Sequence, residues 1–277
     1  MQNKHDVMWK AVEAGFKPIW RSGLLAVLAV LAVSWFVPWA AQAQSPTRIK
    51  IAAASNLKFV MADLTSQYRQ KTGVQVDVNL GASGNLARQI LQGLPVEQFI
   101  SADEVWVAEL AKAGHTVDTG QRYATGRLAL IVLKNSALPL AQGLAAVVRS
   151  MKPGDKFAIA NPGLAPYGVA AVEALQRAGV GPLPAKHKVL GDNIGQATQF
   201  VATGAAQAGI TALALVQAPE IASNLQVYAL PTDLHFPLHQ RMVLLKGAGA
   251  AAADWHRFLL SPPAQAVFVR HGYALPQ

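Results

Sequence analysis

Apolar residues follow two different periods along the chain, and segments with one period alternate with segments that have the other. Every second residue is apolar over residues 49–53, which predicts a strand, and apolar residues recur every three or four positions over 57–68, which predicts a helix. Gly73 ends the helical pattern. The segment "IKIAAASNLKFVMADL" therefore passes from strand to helix with only Ser55 and Asn56 at the junction.

The same strand and helix unit occurs twice more before residue 115. "VQVDVNL" alternates and is followed by the helical pattern of "GASGNLARQILQG". A short apolar strand around Phe99 and Ile100 then precedes a helix that we expect to carry Asp103 and Glu104 in its first turn and Lys112 in its last. Strands that alternate with helices in this way are typical of an α/β fold with parallel sheets.

A second series of such units begins near Arg127. It runs through "RLALIVLK", "KFAIANPGLAPYGVAAVEALQRAG", "HKVLGDNIGQATQFVATG" and "QAGITALALV" to a strand near Val227. "LPTDLHFPLHQ" contains two prolines and predicts a crossover, after which "RMVLLK" and two apolar helices complete the pattern. We expect two α/β lobes with a parallel-rich sheet in each, the first made of residues 44–126 and 231–277 and the second of residues 127–230.

The first 43 residues have the features of an export signal. Lys10, Lys17 and Arg21 precede the apolar run "GLLAVLAVLAVSWFV", and small residues stand at Ala41 and Ala43. We predict a signal peptide that is cleaved after Ala43 and a mature protein in the periplasm. The alternative is an uncleaved membrane anchor, although the run is shorter than the roughly 20 apolar residues that a membrane span needs.

Composition narrows the classes of function. The chain has 24 Lys and Arg and 15 Asp and Glu, and without residues 1–43 the numbers are 20 and 13, a net charge of +7. The basic residues form no run, so we expect a diffuse field that attracts anions and no binding of nucleic acid. Cysteine is absent, which excludes disulfides, thiolate zinc sites and cysteine nucleophiles.

Four loops place a small polar group or a backbone N–H at the start of a helix that follows a strand. These loops contain Ser55-Asn56, Ser83-Gly84-Asn85, Tyr167-Gly168 and Ile194. In parallel sheets such loops lie at the carboxyl ends of the strands, where ligands bind, and the first turn of a helix offers N–H donors to an anion. None of the loops contains Lys or Arg, so neutral dipoles would hold the anion. Alternatively, each Ser or Asn is an ordinary helix N-cap.

Catalytic and metal sites are less well supported by the sequence. Ser83 lies in Gly81-Ala82-Ser83-Gly84-Asn85, which lacks the final glycine of the G-x-S-x-G nucleophile elbow. His235 and His239 are four residues apart, but Pro237 argues against a helix that would place both on one face. We expect no metal bound directly by side chains, no cofactor and no catalytic residue.

Taken together, the loops resemble those of the periplasmic molybdate-binding proteins of ABC importers, which are type II solute-binding proteins. "AAASNL", "GASGNLARQI", "FISADE", "ANPGLAPYG", "GDNI" and "FLLSPPAQAVFVRHGY" occur in that family's order and cover nearly all of the chain after residue 43. The resemblance implies a two-lobed periplasmic-binding-protein fold that closes on an oxyanion in the cleft between the lobes. It also implies transport of molybdate or tungstate to a membrane permease, and we expect a monomer.

The family's binding positions, carried over by the resemblance, fall on Ser55, Asn56, Ser83, Tyr167 and Ile194. Two departures stand out. Ala212 occupies the place of a tyrosine whose hydroxyl binds the ligand in some members, so that contact is absent or is supplied by Tyr167. Val96-Glu97-Gln98 replaces a loop that commonly carries Asp, which concerns packing and not binding.

Other functions remain open from the sequence. The chain could carry another oxyanion such as sulfate, or a small organic acid, because neutral donors do not encode the radius of an anion. It could be an exported serine hydrolase that uses Ser55 or Ser83, or a sensor that binds an anion and signals to a receptor. Transport and sensing cannot be separated by the binding loops alone.

Overall fold

The structure, a computed structural model, describes residues 47–276. Within this range the chain forms ten strands, whose bounds are β1 Arg48–Ala54, β2 Gln75–Gly81, β3 Gln98–Ile100, β4 Gln121–Gly126, β5 Leu128–Leu133, β6 Phe157–Ala160, β7 Lys188–Gly191, β8 Ala208–Ala212, β9 Leu225–Ala229 and β10 Leu238–Leu244. They make two five-stranded sheets, each the centre of one lobe, in the orders β2-β1-β3-β10-β4 and β7-β6-β8-β5-β9.

Nine α-helices surround these sheets in the described part of the chain. They are α1 Lys58–Thr72, α2 Ser83–Leu91, α3 Val105–Lys112, α4 Leu144–Arg149, α5 Pro166–Arg177, α6 Ile194–Ala202, α7 Pro219–Ala222, α8 Ala250–Leu259 and α9 Pro262–Arg270. The predicted two-lobed α/β fold is confirmed.

Each sheet is mixed and not wholly parallel. β1 is parallel to β2 and β3, and β6 is parallel to β7 and β8. β10 is antiparallel to β3 and β4, and β5 is antiparallel to β8 and β9. The sequence predicts a parallel-rich sheet in each lobe, because strands that alternate with helices are typical of parallel pairs, but it does not identify which strands are antiparallel. The antiparallel strands β5 and β10 are those that enter a lobe directly from the other one.

Two short connections join the lobes. The chain leaves the first sheet at Gly126 and enters the second at Leu128, and it returns between Ala229 and Leu238. The residue numbers given above for the lobe boundaries stay a prediction.

Helix α1 illustrates how the sequence sets the elements. Its apolar positions Val60, Met61, Leu64 and Tyr68 are all buried, as the three- and four-residue spacing predicts. Gly73 follows with φ of 75°, a left-handed conformation that only glycine adopts readily, and its N–H bonds to the Arg69 carbonyl. The helix therefore covers the first sheet with one face and stops where the chain turns back into β2.

One helix start differs from the prediction. Helix α3 begins at Val105, so Asp103 and Glu104 precede it and do not lie in its first turn. Asp103, which precedes the N-cap residue Glu104, accepts a hydrogen bond at Oδ1 from the Trp106 N–H at 3.4 Å. The predicted signal segment and its cleavage site lie outside the described residues. Within residues 47–276 we find no helix with both the length and the hydropathy needed to cross a bilayer.

Candidate functional site

The four polar loops meet at a small cavity between the lobes. Its lining consists of Ala54, Ser55, Asn56, Gly81, Ala82, Ser83, Ala102, Ala165, Pro166, Tyr167 and Ile194. All five residues carried over by the resemblance are therefore brought together. The lining contains no charged or histidine side chain, so neither serine has a general base there.

Helix geometry supplies backbone donors to this cavity. Ser83 and Ile194 are the first residues of α2 and α6, and Tyr167 is the second residue of α5. N–H groups in the first turn of a helix have no acceptor within the helix. Their partial positive charge adds to the helix dipole, which favours an anion.

Three of these helix starts have no side-chain cap. The capping positions are Ala54 before the 3₁₀ turn Ser55–Leu57 that leads into α1, Ala82 before α2 and Ala165 before α5. Alanine is among the poorest capping residues, at a cost of about 1 kcal/mol each relative to Ser or Asp. The alternative that Ser55 and Ser83 are ordinary N-caps is therefore wrong, because each is the first residue of its helical segment and the alanine before it is the N-cap. Asn193 is a true cap of α6 and accepts from Gln196 N–H at 3.1 Å.

Both serine hydroxyls already accept a hydrogen bond from another loop. Ser83 Oγ accepts from the Ala102 N–H at 3.0 Å, and Ser55 Oγ accepts from the Gly195 N–H at a long 3.5 Å. A hydroxyl has one proton to donate, and a contact in which it accepts leaves that proton available. Each serine can therefore donate into the cavity.

Donors from the two lobes reach the cavity because the lobes touch beside it. The Gly84 N–H, in the first turn of α2, donates to the Leu164 carbonyl of the other lobe at 2.9 Å. A side chain at Gly84 would not fit, because its Cβ would lie 2.9 Å from that oxygen and 2.6 Å from the Trp106 ring. Glycine at this position thus permits the approach of the lobes.

A buried polar cluster includes the cavity-lining residues Asn56 and Tyr167 and extends behind them. It consists of Asn56, Tyr123, Tyr167, Gln240 and Tyr273. Burial raises the pKa of each of the three tyrosines, so all are neutral phenols at physiological pH. Sequence reasoning missed Tyr123, Gln240 and Tyr273.

One pattern pointed to part of this cluster. Residues 238, 240 and 242 share the buried face of β10, which places a polar Gln240 in phase with Leu238 and Met242. A polar residue at a buried position of a strand needs hydrogen bonds within the protein. The alternation in this strand therefore predicts that Gln240 is buried and hydrogen-bonded.

Carboxylates near the site lie outside its lining. Burial raises the pKa of Asp103, whose Oδ1 accepts from Ser101 Oγ at 3.0 Å. Glu104 forms ion pairs with Arg122 at 2.7 Å and Arg241 at 2.5 Å. The hydrogen bond from Arg122 is the main reason that the pKa of Glu104 falls to about 2. Neither carboxylate is among the residues that line the cavity.

The two departures from the family pattern have local explanations. Ala212 is buried at the end of β8 and is not among the residues that line the cavity. Glu97 Oε1 accepts from the Gly249 N–H at 3.0 Å, and the buried Gln98 side chain lies 2.8 Å from His256 Nδ1. The Val96-Glu97-Gln98 loop thus makes packing contacts with α8 and the turn before it.

The two histidines considered for a metal site have separate partners. His235 Nδ1 bonds to the Phe236 carbonyl at 2.7 Å, and His239 Nδ1 bonds to Thr125 Oγ1 at 3.3 Å. Across residues 47–276 no three His, Asp or Glu side chains are grouped so that they could hold a metal ion.

Comparison with known proteins agrees with this architecture. A family model described as bacterial extracellular solute-binding protein matches residues 49–274. The chain is 35% identical over 255 residues to the molybdate-binding protein ModA of Azotobacter vinelandii, which covers 91% of this chain and 98% of the relative. It is also 35% identical over 225 residues to ModA of Rhodobacter capsulatus, with 80% and 86% covered.

A solved structure agrees in fold. The Azotobacter vinelandii periplasmic molybdate-binding protein superimposes with a TM-score of 0.74 at 29% sequence identity, and the match covers 83% of this chain and 100% of the other.

Proposed function

The chain belongs to the family of bacterial extracellular solute-binding proteins, and on that premise we propose that it binds molybdate or tungstate in the cavity between its lobes. The observation that carries the proposal is the cavity itself, which is lined by neutral residues and faced by the starts of helices without side-chain caps. The two relatives and the solved structure described above are molybdate-binding proteins, which supports the same ligand class.

The proposed ligand contacts are donors only. They are the hydroxyls of Ser55 and Ser83 and the backbone N–H groups of Asn56, Tyr167 and Ile194, since both side-chain protons of Asn56 are given to Gln240 and Tyr273. A dianion buried in such a site is stabilised when each oxygen accepts hydrogen bonds, and charge-assisted bonds are about twice as strong as neutral ones. Neutral donors hold the anion without an ion pair, so release stays possible when the lobes separate.

Closure would occur by rotation about the two connections between the lobes. Ser55, Asn56 and Ser83 belong to the first lobe, and Tyr167 and Ile194 belong to the second. Binding therefore favours the arrangement in which the lobes approach, which is a hinge mechanism. The contacts at Ser55–Gly195 and Gly84–Leu164 would form in the same movement.

In the cell, the protein would act as the periplasmic component of an ABC importer. We propose that the segment up to Ala43 directs export and is removed, and that the mature monomer delivers the anion to a permease in the inner membrane. We also propose lobe boundaries at residues 126/127 and 230/231, which the short connections Gly126 to Leu128 and Ala229 to Leu238 support.

Calorimetry on the mature protein is the direct test of ligand class. Molybdate, tungstate, sulfate and phosphate are titrated separately, and each of the latter two is then used as a competitor. We expect saturable binding of molybdate and tungstate that sulfate displaces only in large excess. Binding of sulfate at a comparable concentration would identify a carrier for another oxyanion, and no heat with molybdate or tungstate would refute the proposal.

A further inference from the structure

We propose that Gln240 is a positioning residue that ties the oxyanion loops of the two lobes together through its side-chain amide. This role rests on the proposed function, since Gln240 would hold the ligand-binding loops in place. Gln240 lies on β10, the strand that returns to the first sheet from the second lobe, and its side chain does not line the cavity. It is wholly buried.

The amide makes three hydrogen bonds to three different elements. Its Oε1 accepts from Tyr123 Oη at 2.6 Å and from Asn56 Nδ2 at 3.1 Å, and both of those residues belong to the first lobe. Its Nε2 donates to Tyr167 Oη at 3.0 Å, and Tyr167 belongs to the second lobe. A single side chain therefore contacts one proposed ligand-binding residue in each lobe.

The direction of these bonds is set by a chain of partners. Tyr273 Oη donates its only proton to the main-chain carbonyl of Asn56 at 3.0 Å. It can therefore only accept a hydrogen bond from the Asn56 side chain, whose Nδ2 lies 2.8 Å away. Asn56 must then present its Nδ2 to Gln240, which turns the Oε1 of Gln240 toward Asn56. The Nε2 is left to face Tyr167, so the cluster specifies a donor toward the second lobe.

Two backbone features serve this contact. The register of β4 against β10 shifts by one residue, because Gln240 pairs with Ala124 and Arg241 pairs with Arg122, and the extra residue on β4 is Tyr123, whose hydroxyl bonds to Gln240. Gly126, where the chain crosses between the lobes, has no side chain to obstruct the amide. A Cβ there would overlap Tyr167 Oη and lie 2.5 Å from Gln240 Nε2.

The consequence concerns the lifetime of the bound anion. Tyr167 contributes its backbone N–H to the proposed site, and its hydroxyl is fixed by Gln240 across the lobes. Loss of this bond would remove a contact that joins the two lobes around the bound anion, so we expect dissociation to accelerate while association changes little. A net hydrogen bond of this kind corresponds to about a three- to tenfold change in rate.

A double-mutant cycle with a matched control tests the role. Gln240→Met, Tyr167→Phe and the double variant are compared with Tyr123→Phe, which removes a hydroxyl bonded to the same amide within the first lobe. Molybdate dissociation rates are measured by stopped-flow and apo stability by thermal unfolding. We expect faster dissociation, about three- to tenfold, in Gln240→Met and Tyr167→Phe, with no further increase in the double variant. Tyr123→Phe should lower the apo melting temperature and change the dissociation rate twofold or less.

The outcomes separate this role from the proposed function. If the wild-type protein binds neither molybdate nor tungstate, the proposed function fails and this role falls with it. If the wild type binds and Gln240→Met and Tyr167→Phe release molybdate at the wild-type rate, only the positioning role is refuted. Additive effects in the double variant would also refute it, because residues that act through one bond cannot contribute independently. A drop in apo stability alone, with unchanged dissociation, would reduce Gln240 to a packing residue.

Discussion

The hydroxyl of Ser83 accepts a hydrogen bond from the N–H of Ala102 at 3.0 Å, and this contact determines which way Ser83 can donate. Its oxygen is held by the loop that follows β3, so its proton is available to an acceptor in the cavity. Ser83 is also the first residue of α2 and not its cap. The position thus combines an oriented hydroxyl with a backbone N–H at a helix start.

Replacement of Ser83 by Ala should weaken anion binding. A lost hydrogen bond to a charged group costs about 1.5 to 3 kcal/mol, which corresponds to a tenfold to hundredfold increase in Kd. Calorimetry measures the change. Asn85→Ala is the matched control, because Asn85 lies two residues further along α2 and outside the cavity lining, so its Kd should stay close to wild type. Unchanged affinity in Ser83→Ala would exclude a direct contact.

Replacement of Gly84 by Ala should weaken binding without removing any donor. The added Cβ would lie 2.9 Å from the Leu164 carbonyl of the opposite lobe, which keeps the lobes apart. We expect a Kd at least tenfold higher. Small-angle scattering should show that the variant compacts less than wild type when molybdate is added.

Gly93→Ala is a control with open space around its Cβ, although its φ of 92° makes some loss of stability expected. Wild-type affinity in Gly84→Ala would contradict the contact between the lobes.

Anion affinity should depend only weakly on salt. Hydrogen bonds from neutral donors at short range are poorly screened, whereas a site built from Lys or Arg loses affinity as ionic strength rises. Titrations with molybdate from about 0.05 to 0.5 M sodium chloride should give Kd values within a few-fold of one another. A steep loss would mean that a basic side chain contributes to the site.

Stability at low pH should depend on Glu104. Its pKa is about 2 in the folded protein against 4.5 ordinarily, mainly because of the hydrogen bond from Arg122. A lowered carboxyl pKa stabilises the fold above pH 4.5, and this contribution disappears as the pH falls from 4.5 toward 2. After allowance for solvent screening of a side chain that is 32% exposed, the contribution is about 1 to 2 kcal/mol.

Urea unfolding at several pH values tests this contribution. Glu104→Gln should be less stable than wild type at pH 7 and should converge with it near pH 2. A constant difference between the two proteins across that range would contradict the assignment. Glu109→Gln serves as the control for loss of an exposed acidic charge.

The fold was largely predictable because the apolar periods are regular. The run from β1 into α1, ended by Gly73, follows from alternation, helical spacing and a left-handed glycine. The antiparallel placement of β5 and β10 did not follow, because the direction of a strand is set by which lobe the chain has just left. No local period carries that information.

The candidate site was predictable in its loops and not in its supporting contacts. Small polar residues at the ends of parallel strands located Ser55 and Ser83, since strand ends share one edge of a sheet. Tyr273 and Gln240 are more than 180 residues from Asn56 in the chain, and only the packed fold brings them together. Such contacts depend on tertiary structure, which sequence spacing does not encode.

Diffraction from crystals of the mature protein grown with molybdate tests the central claim most directly, because anomalous scattering at the molybdenum absorption edge locates the metal atom without ambiguity. The account predicts one strong peak in the cavity between the lobes. The oxygens of the bound molybdate should lie within about 2.6 to 3.2 Å of the hydroxyl oxygens of Ser55 and Ser83 and of the backbone nitrogen of Ile194. A peak elsewhere on the protein, or a cavity without one at saturating molybdate, would contradict it.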